Sequence, residues 1–246
     1  MSLQVYYEDS FQAERGRSPK EMLDEVILTS KGLFNYVVEC KSKFLTTKDW
    51  QGLAVAELGS GRGGLGLQLA RLGADLTLVD FSPSALAQAE QLFALEGFQV
   101  HTIEADVSYP DVTLPRKYDL MVDSHLLHCL TDDPARLSYL KLIQDHLTDE
   151  GIFVCETMVH RKKLYIPDGF MFDQKNVLWQ MFGEWKPVRR ILDSLDLEQE
   201  LISAGLHITY FVYYANFGFV PHKQFLDIPS EILPAAVRMV LKKKAN

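Results

Sequence analysis

The stretch from Leu53 to Ala70, LAVAELGSGRGGLGLQLA, constrains the fold more than any other part of this chain. Leu53–Leu58 is short, mostly apolar and too brief for a helix, as expected of a strand buried on both faces of a parallel sheet. Gly59, Gly61, Gly63 and Gly64 follow, permitting positive φ angles and a close approach of backbone to a ligand; Leu65, Leu69 and Leu72 then recur at helical spacing. A buried strand, a glycine turn and a helix start place free N–H groups at the turn, and this arrangement suits a nucleoside cofactor.

The acid inside the strand narrows the choice of cofactor. Gly59, Gly61, Gly64 and also Gly61, Gly63, Gly66 satisfy the dinucleotide-binding spacing G-x-G-x-x-G, so that pattern alone decides little. Glu57 stands two residues before the first glycine, where a pyrophosphate would meet negative charge with negative charge. A cofactor carrying an amino group and a sulfonium favours a carboxylate there. In its run Glu57-x-Gly59-x-Gly61-x-Gly63 the chain resembles the class I S-adenosylmethionine (SAM)-dependent methyltransferases, whose first motif is an acid followed by glycines at alternate positions.

The resemblance continues downstream. Ala74–Val79 reads as a second strand ending at Asp80, an acid placed to accept hydrogen bonds from ribose hydroxyls in either cofactor family. Ser82-Pro83 opens a helix with an N-cap hydroxyl and a proline in its first turn. A third strand, about Gln99 to Glu104, leads into Ala105-Asp106-Val107, and a fourth, Tyr118–Val122, into Asp123-Ser124-His125-Leu126-Leu127-His128. Thr131-Asp132-Asp133-Pro134 signals a helix start, and Leu147-Thr148-Asp149-Glu150-Gly151 a turn into a fifth strand, Ile152–Glu156. Asp193–Ala204 reads as a helix stopped by Gly205, before a β-prone run Leu206–Tyr214 and a last apolar run Ala235–Leu241. With no long helix between them, these two runs pair most simply as an antiparallel hairpin, whereas a dehydrogenase half-sheet would continue strand–helix–strand.

The resemblance implies an α/β fold with a mostly parallel Rossmann-like sheet, helices on both faces and a C-terminal antiparallel hairpin. It implies a site in which Glu57, Gly59, Ser60, Gly61 and Gly63 hold the methionine part of SAM, Asp80 the ribose, and Phe81, Ala105, Asp106 and Val107 the adenine, with Asp123 beside them. The product would be S-adenosylhomocysteine (SAH). One domain over residues 1–246 is expected, with an N-terminal helical segment over 1–50 and a cap-like insertion over 158–191 that carries Tyr165, Phe172 and Trp179. These three, with Tyr7, are candidate contacts to a methyl acceptor; the plainer alternative is that the aromatic residues only pack the insertion onto the core.

Methyl transfer from a sulfonium depends on alignment, and a base is needed only for a nucleophile that arrives protonated. His125 and His128 stand at the carboxyl edge of the sheet and are candidate bases. With Cys129 they fall short of a metal-ligand pattern, and no metal is expected. The net charge of −8 argues against a long polyanionic substrate, and Arg161-Lys162-Lys163 and Arg189-Arg190 read as solvated edges. Cys40, Cys129 and Cys155 do not form a disulfide framework, Cys155 reading as a small buried residue. With acids at Glu8 and Asp9 and no long apolar segment near the start, a cytoplasmic protein without a membrane partner is expected. The sequence leaves the oligomeric state open. The expected function is transfer of a methyl group to an oxygen or nitrogen of a small molecule, with a protein methyltransferase or a non-catalytic SAM-binding module as alternatives and an NAD-dependent oxidoreductase ranked below them.

Overall fold

The computed structural model of the chain describes residues 3–14, 16–46, 49–161, 164–216 and 229–244. Helices α1 (Leu3–Ala13) and α2 (Pro19–Phe44) precede β1 (Ala54–Leu58), α3 (Gly64–Ala70), β2 (Asp75–Asp80), α4 (Pro83–Leu95), β3 (His101–Glu104) and β4 (Tyr118–Ser124). The chain continues through α5 (Asp133–His146), β5 (Leu147–Val159), β6 (Phe170–Phe172), β7 (Val177–Met181), β8 (Trp185–Arg190), α6 (Ser194–Ser203), β9 (Leu206–Asn216) and β10 (Ala235–Lys243).

Seven strands form one sheet in the order β3-β2-β1-β4-β5-β10-β9. The pairs from β3 to β5 are parallel, while β10 runs antiparallel to both β5 and β9, so the expected terminal hairpin closes the sheet. Strand order reverses between β1 and β4, and the crevice outside their carboxyl ends is where ligands of such sheets collect.

Alternation along the central strands builds two cores. Val55, Leu120, Val122, Ile152 and Val154 pack with Val26 and Val37 of α2, Leu65 of α3 and Leu92 of α4. On the other face Ala56, Met121, Phe153 and Cys155 pack with Tyr139 and Ile143 of α5 and Leu201 of α6. Covering both faces is what lets the strands be apolar throughout, and each fully buried leucine or phenylalanine contributes about 1.5–3 kcal/mol. Cys155 is fully buried, and all three cysteines are free thiols. Among the described residues no helix is long and apolar enough to cross a membrane.

Local signals settle where the helices begin and end. Ser82 Oγ accepts from Ala85 N at 3.0 Å, Asp132 from Ala135 N at 2.9 Å, and Asp193 from Leu195 N and Asp196 N, each an N-cap. Gly205, at φ 78°, stops α6. One boundary differs from expectation. β5 begins at Leu147, and its register against β4 jumps from Tyr118↔Leu147 to Leu120↔Ile152, so the expected turn over 148–151 is an irregularity inside the strand.

The insertion contains a second sheet, β6-β7-β8, antiparallel throughout. Its small core of Leu164, Leu178, Val188 and Ile191 includes Met158 from the end of β5. A neck closes it: His160 N donates to Leu192 O at 3.0 Å, and His160 forms a bridge with Asp193.

Arg136 of α5, 2 % exposed, ties the site edge to the rest of the fold. Its Nε and Nη2 each reach Glu200 of α6 at 2.6 Å, and its Nη1 donates to the carbonyls of Leu127 at 2.6 Å and Leu130 at 3.2 Å. Replacing Arg136 with methionine keeps the apolar stem but strands these partners. The expected loss is about 3 kcal/mol of folding stability, read as a lower urea midpoint at unchanged slope; an unchanged midpoint would refute that role.

Candidate functional site at the carboxyl edge of the sheet

The glycine turn is pinned to its neighbour strand. Gly59 N and Ser60 N both donate to Val79 O, at 2.8 and 3.1 Å, and Gly61 N donates to Asp80 Oδ2 at 2.8 Å. Gly63 must be glycine twice over: its φ is 66°, and a Cβ there would meet Leu78 Cδ1 at 2.7 Å. Glu57 lies beneath the turn, 3 % exposed, and accepts Gly66 N at 2.8 Å. Burial, with the charge of Asp80 adding to it against the Gly66 bond, pushes its carboxyl up to about 8.

Three cavities meet at Gly59, which lines all of them. The first, of about 350 Å³, is walled by Val79, Asp80, Phe81, Ala105, Asp106 and Val107. The second, of about 670 Å³, runs under α2 and is lined by Glu57, Ser60, His125, Glu156 and Arg238 among others. The third, of about 390 Å³, joins the turn to Tyr7, His125, His128, Cys129, Met158 and Arg189.

Asp80 is the hinge of the first cavity. Its Oδ2 takes Gly61 N and its Oδ1 takes Ser82 N at 2.9 Å; burial raises its carboxyl despite these bonds. Asp106 accepts Ser108 N at 3.0 Å through one oxygen and the Gln4 amide of α1 through the other. Helix α1 covers this side. Glu8 accepts from the hydroxyls of Ser82 and Ser84 at the start of α4, and the Gln88 amide donates to Phe11 O at 2.7 Å. Burial works against the charge of Glu8, but the Ser82, Ser84 and Gln12 bonds outweigh it and hold its carboxyl down to about 2.

The two histidines have different surroundings. His125 occupies a positive φ of 72°, uncommon for a residue with a side chain, and its Nε2 lies 2.7 Å from Glu156 Oε1. The other oxygen of Glu156 is bound by Arg238, and Arg238 Nη1 donates to Gly32 O at 3.1 Å. Burial raises Glu156, yet the hydrogen bonds and charges of His125 and Arg238 prevail, leaving its carboxyl below its ordinary range. His128 is 3 % exposed, with Nδ1 3.2 Å from Thr157 Oγ1. Burial and nearby Arg189 push it far below its ordinary value, so its ring is neutral at physiological pH.

The structure gathers most of the expected residues and moves others. Glu57, Gly59, Ser60, Gly61, Asp80, Phe81, Ala105, Asp106, Val107, His125, His128 and Tyr7 line the three cavities, while Gly63 shapes the turn behind them. Asp123, expected beside the cofactor, is fully buried instead, accepting Leu126 N at 2.6 Å, Leu127 N at 2.9 Å and Tyr139 Oη at 2.8 Å. It is a turn-former because its strand runs two residues further than expected, to Ser124, and alternation puts its side chain on the same core face as Met121. Phe172, Trp179 and Tyr165 do not line these cavities. Phe172 meets the His160 ring edge-on, Trp179 donates to Asp173, and Tyr165 N binds Ile232 O. Arg190 pairs with Asp133, but Arg189 lines the third cavity and is not a solvated edge residue. Lys162 and Lys163 lie outside the described residues. Gln4, Phe11, Met158, Glu156 and Arg238 escaped sequence reading; for Arg238 the signal was present, a lone cation inside the apolar run Ala235–Leu241.

Residues 56–153 match the family model of a methyltransferase domain. No curated protein matches the sequence. Among solved structures, a SAM-dependent methyltransferase from Clostridium acetobutylicum is 19% identical with a TM-score of 0.62, covering 86% of this chain and 91% of its own. The CcbJ methyltransferase of Streptomyces caelestis, 15% identical, has a TM-score of 0.62 over 86% of this chain and 90% of its own. The 1,6-didemethyltoxoflavin-N1-methyltransferase of Burkholderia thailandensis is 15% identical with a TM-score of 0.61, covering 99% of this chain and 88% of its own. At such identities the likeness is one of fold. The family match covers residues 56–153, and over the rest of the chain the likeness to SAM-dependent methyltransferases, and with it to a SAM cofactor, is one of fold. The donor set suits that group: a buried carboxyl at Glu57, a buried Ser60 Oγ with no partner among the described residues, and the carboxylates of Asp80 and Asp106 among those at the first cavity.

Glu57 makes stability depend on pH in a defined direction. The folded chain keeps a proton that the unfolded chain releases near 4.5 and that Glu57 releases only near about 8. Its stabilising contribution is therefore complete below about pH 4.5 and lost as pH rises through about 8. Glu57→Gln should flatten this decline, gaining stability over the parent protein between about pH 5 and about pH 8 in urea melts. A difference that does not change with pH would overturn the assignment.

Proposed function

We propose that this chain transfers a methyl group from SAM to an oxygen or nitrogen of a small molecule by in-line displacement, working as one domain whose cap over 158–191 shapes the acceptor side. The observation that carries this reading is the meeting of three cavities at Gly59, so that an acceptor space adjoins the cofactor space at the glycine turn. Bound SAM supplies an electrophilic methyl carbon on a sulfonium. The acceptor's lone pair forms the new bond as the carbon–sulfur bond breaks, and the electron pair stays on sulfur to give SAH.

The chain's own residues then have separable tasks. Glu57 and Ser60 face the methionine part, Asp80 holds the ribose, and Asp106 takes the adenine amino group between Phe81, Ala105 and Val107. Helix α1 and the cap exclude water and fix the acceptor's approach. His125, held by Glu156, accepts a proton when the nucleophile carries one. His128 serves as a neutral wall. The likeness to the Burkholderia enzyme, whose structure contains 1,6-didemethyltoxoflavin and SAH, supports a small acceptor.

Calorimetric titration with SAM, SAH and NAD tests the cofactor, with the first two expected to bind and NAD not. Asp80→Ala should weaken SAH binding by about 1–3 kcal/mol, since it removes both a ribose partner and the anchor of Gly61 N. His125→Asn should lower kcat about a hundredfold while SAH affinity is kept. Binding of NAD alone would overturn the assignment, and an unchanged kcat would remove His125 from proton transfer.

A further inference from the structure

We propose that Arg189 binds an acidic group of the methyl acceptor, so that this chain methylates small molecules bearing an oxyanion, a carboxylate or a phosphoryl group. This rests on the methyltransferase reading and names the substrate class of the same site. Arg189 and Arg190 are neighbours on β8, and alternation sends them to opposite sides. Arg190 leaves the cap to pair with Asp133, whereas Arg189 projects into the third cavity beside Tyr7, His128, Cys129 and Met158.

Within that cavity Arg189 meets oxygen atoms but no carboxylate. Its Nη1 donates to Val188 O at 2.7 Å, and its guanidinium donates to the Tyr7 hydroxyl. No carboxylate pairs with it among the described residues. The acids nearby are engaged: Asp80 holds Gly61 N and Ser82 N, and Glu156 holds His125 and Arg238. The other groups around it are neutral, since burial drives the Tyr7 hydroxyl up to about 12, raises the Cys129 thiol and keeps His128 uncharged. A guanidinium drawn out of water without an anion is costly, and arginine has a long stem that ordinarily carries its charge to the surface. Here the planar fork of donors faces a cavity in place of solvent, the geometry that matches a two-oxygen anion. A bound sulfonium adds a second positive charge at the other end of the same space. The partner that balances both is an anion on the acceptor.

The test uses the full chain saturated with SAH and titrated with benzoate, phenylphosphonate and the neutral isostere benzamide. The acids are expected to bind, benzamide roughly tenfold or more weakly. Arg189→Met should abolish this preference without changing SAH affinity, and Arg189→Lys should keep a reduced preference because it retains charge but not the fork. A stronger response to benzoate assigns a carboxylate and a stronger one to phenylphosphonate a phosphoryl group; either supports the proposal. Equal binding of acid and amide, no acid binding, or an acid preference that survives Arg189→Met would overturn it. So would loss of SAH binding in both variants while the parent protein binds it, since Arg189 would then serve the cofactor or the fold. Failure of the parent protein to bind SAH would instead refute the methyltransferase reading.

Discussion

The carboxylate of Asp80 sits at the end of β2 and receives backbone N–H groups from two directions, Gly61 in the turn after β1 and Ser82 at the start of α4. Two loops that belong to different strands are thereby fastened to one side chain. Val79, one residue earlier, receives Gly59 N and Ser60 N, so the turn is held by three bonds to the end of a single strand. The turn can stay open and glycine-rich without collapsing because its donors are satisfied from β2. The position of every cavity at the sheet edge follows from this fastening, since all three include Gly59.

Around this anchor the protein places negative charge deliberately unevenly. Glu57 and Asp80 are raised by burial, which makes them poor hosts for charge until a cation arrives, whereas Glu8 and Glu156 are held ionised by hydrogen bonds and, for Glu156, by cations. Of the first pair, Glu57 lies where the resemblance puts the positively charged methionine part of SAM, and Asp80 where it puts the ribose. The second pair acts in the scaffold, Glu8 docking α1 on the N-terminus of α4, where the helix dipole favours an anion, and Glu156 joining β5 to β10 and to the turn at His125. A carboxylate's environment, more than its presence in a motif, separates these tasks.

The sheet was legible in the sequence because its signals are local. Apolar runs of strand length, Ser82-Pro83, Asp132 and Asp193 at helix starts and Gly205 at a helix end each act within a few residues. The acids Glu57, Asp80 and Asp106 that line the first two cavities were legible for the same reason, as they follow strands in chain order. The far wall of the third cavity was not, since it is assembled from α1, the end of β5 and β8, segments far apart in the chain that sequence periodicity cannot bring together. Asp123 and Arg189 failed in opposite ways: one looked like a ligand-facing acid and turned inward to Leu126, Leu127 and Tyr139, the other looked solvated and lines the third cavity. In both cases the alternation of side chains along a strand decides which face a residue takes.

The neck at His160 and Asp193 gives the insertion an architectural independence from the sheet. The chain leaves β5 and returns to α6 through two legs joined side by side, so the path between them can lengthen, shorten or be exchanged without displacing either element. Met158 reaches from the root of this neck into the third cavity, and any replacement loop would inherit that fixed floor. The loop is thus free to diverge while the glycine turn stays under the constraint of its three bonds to the end of β2.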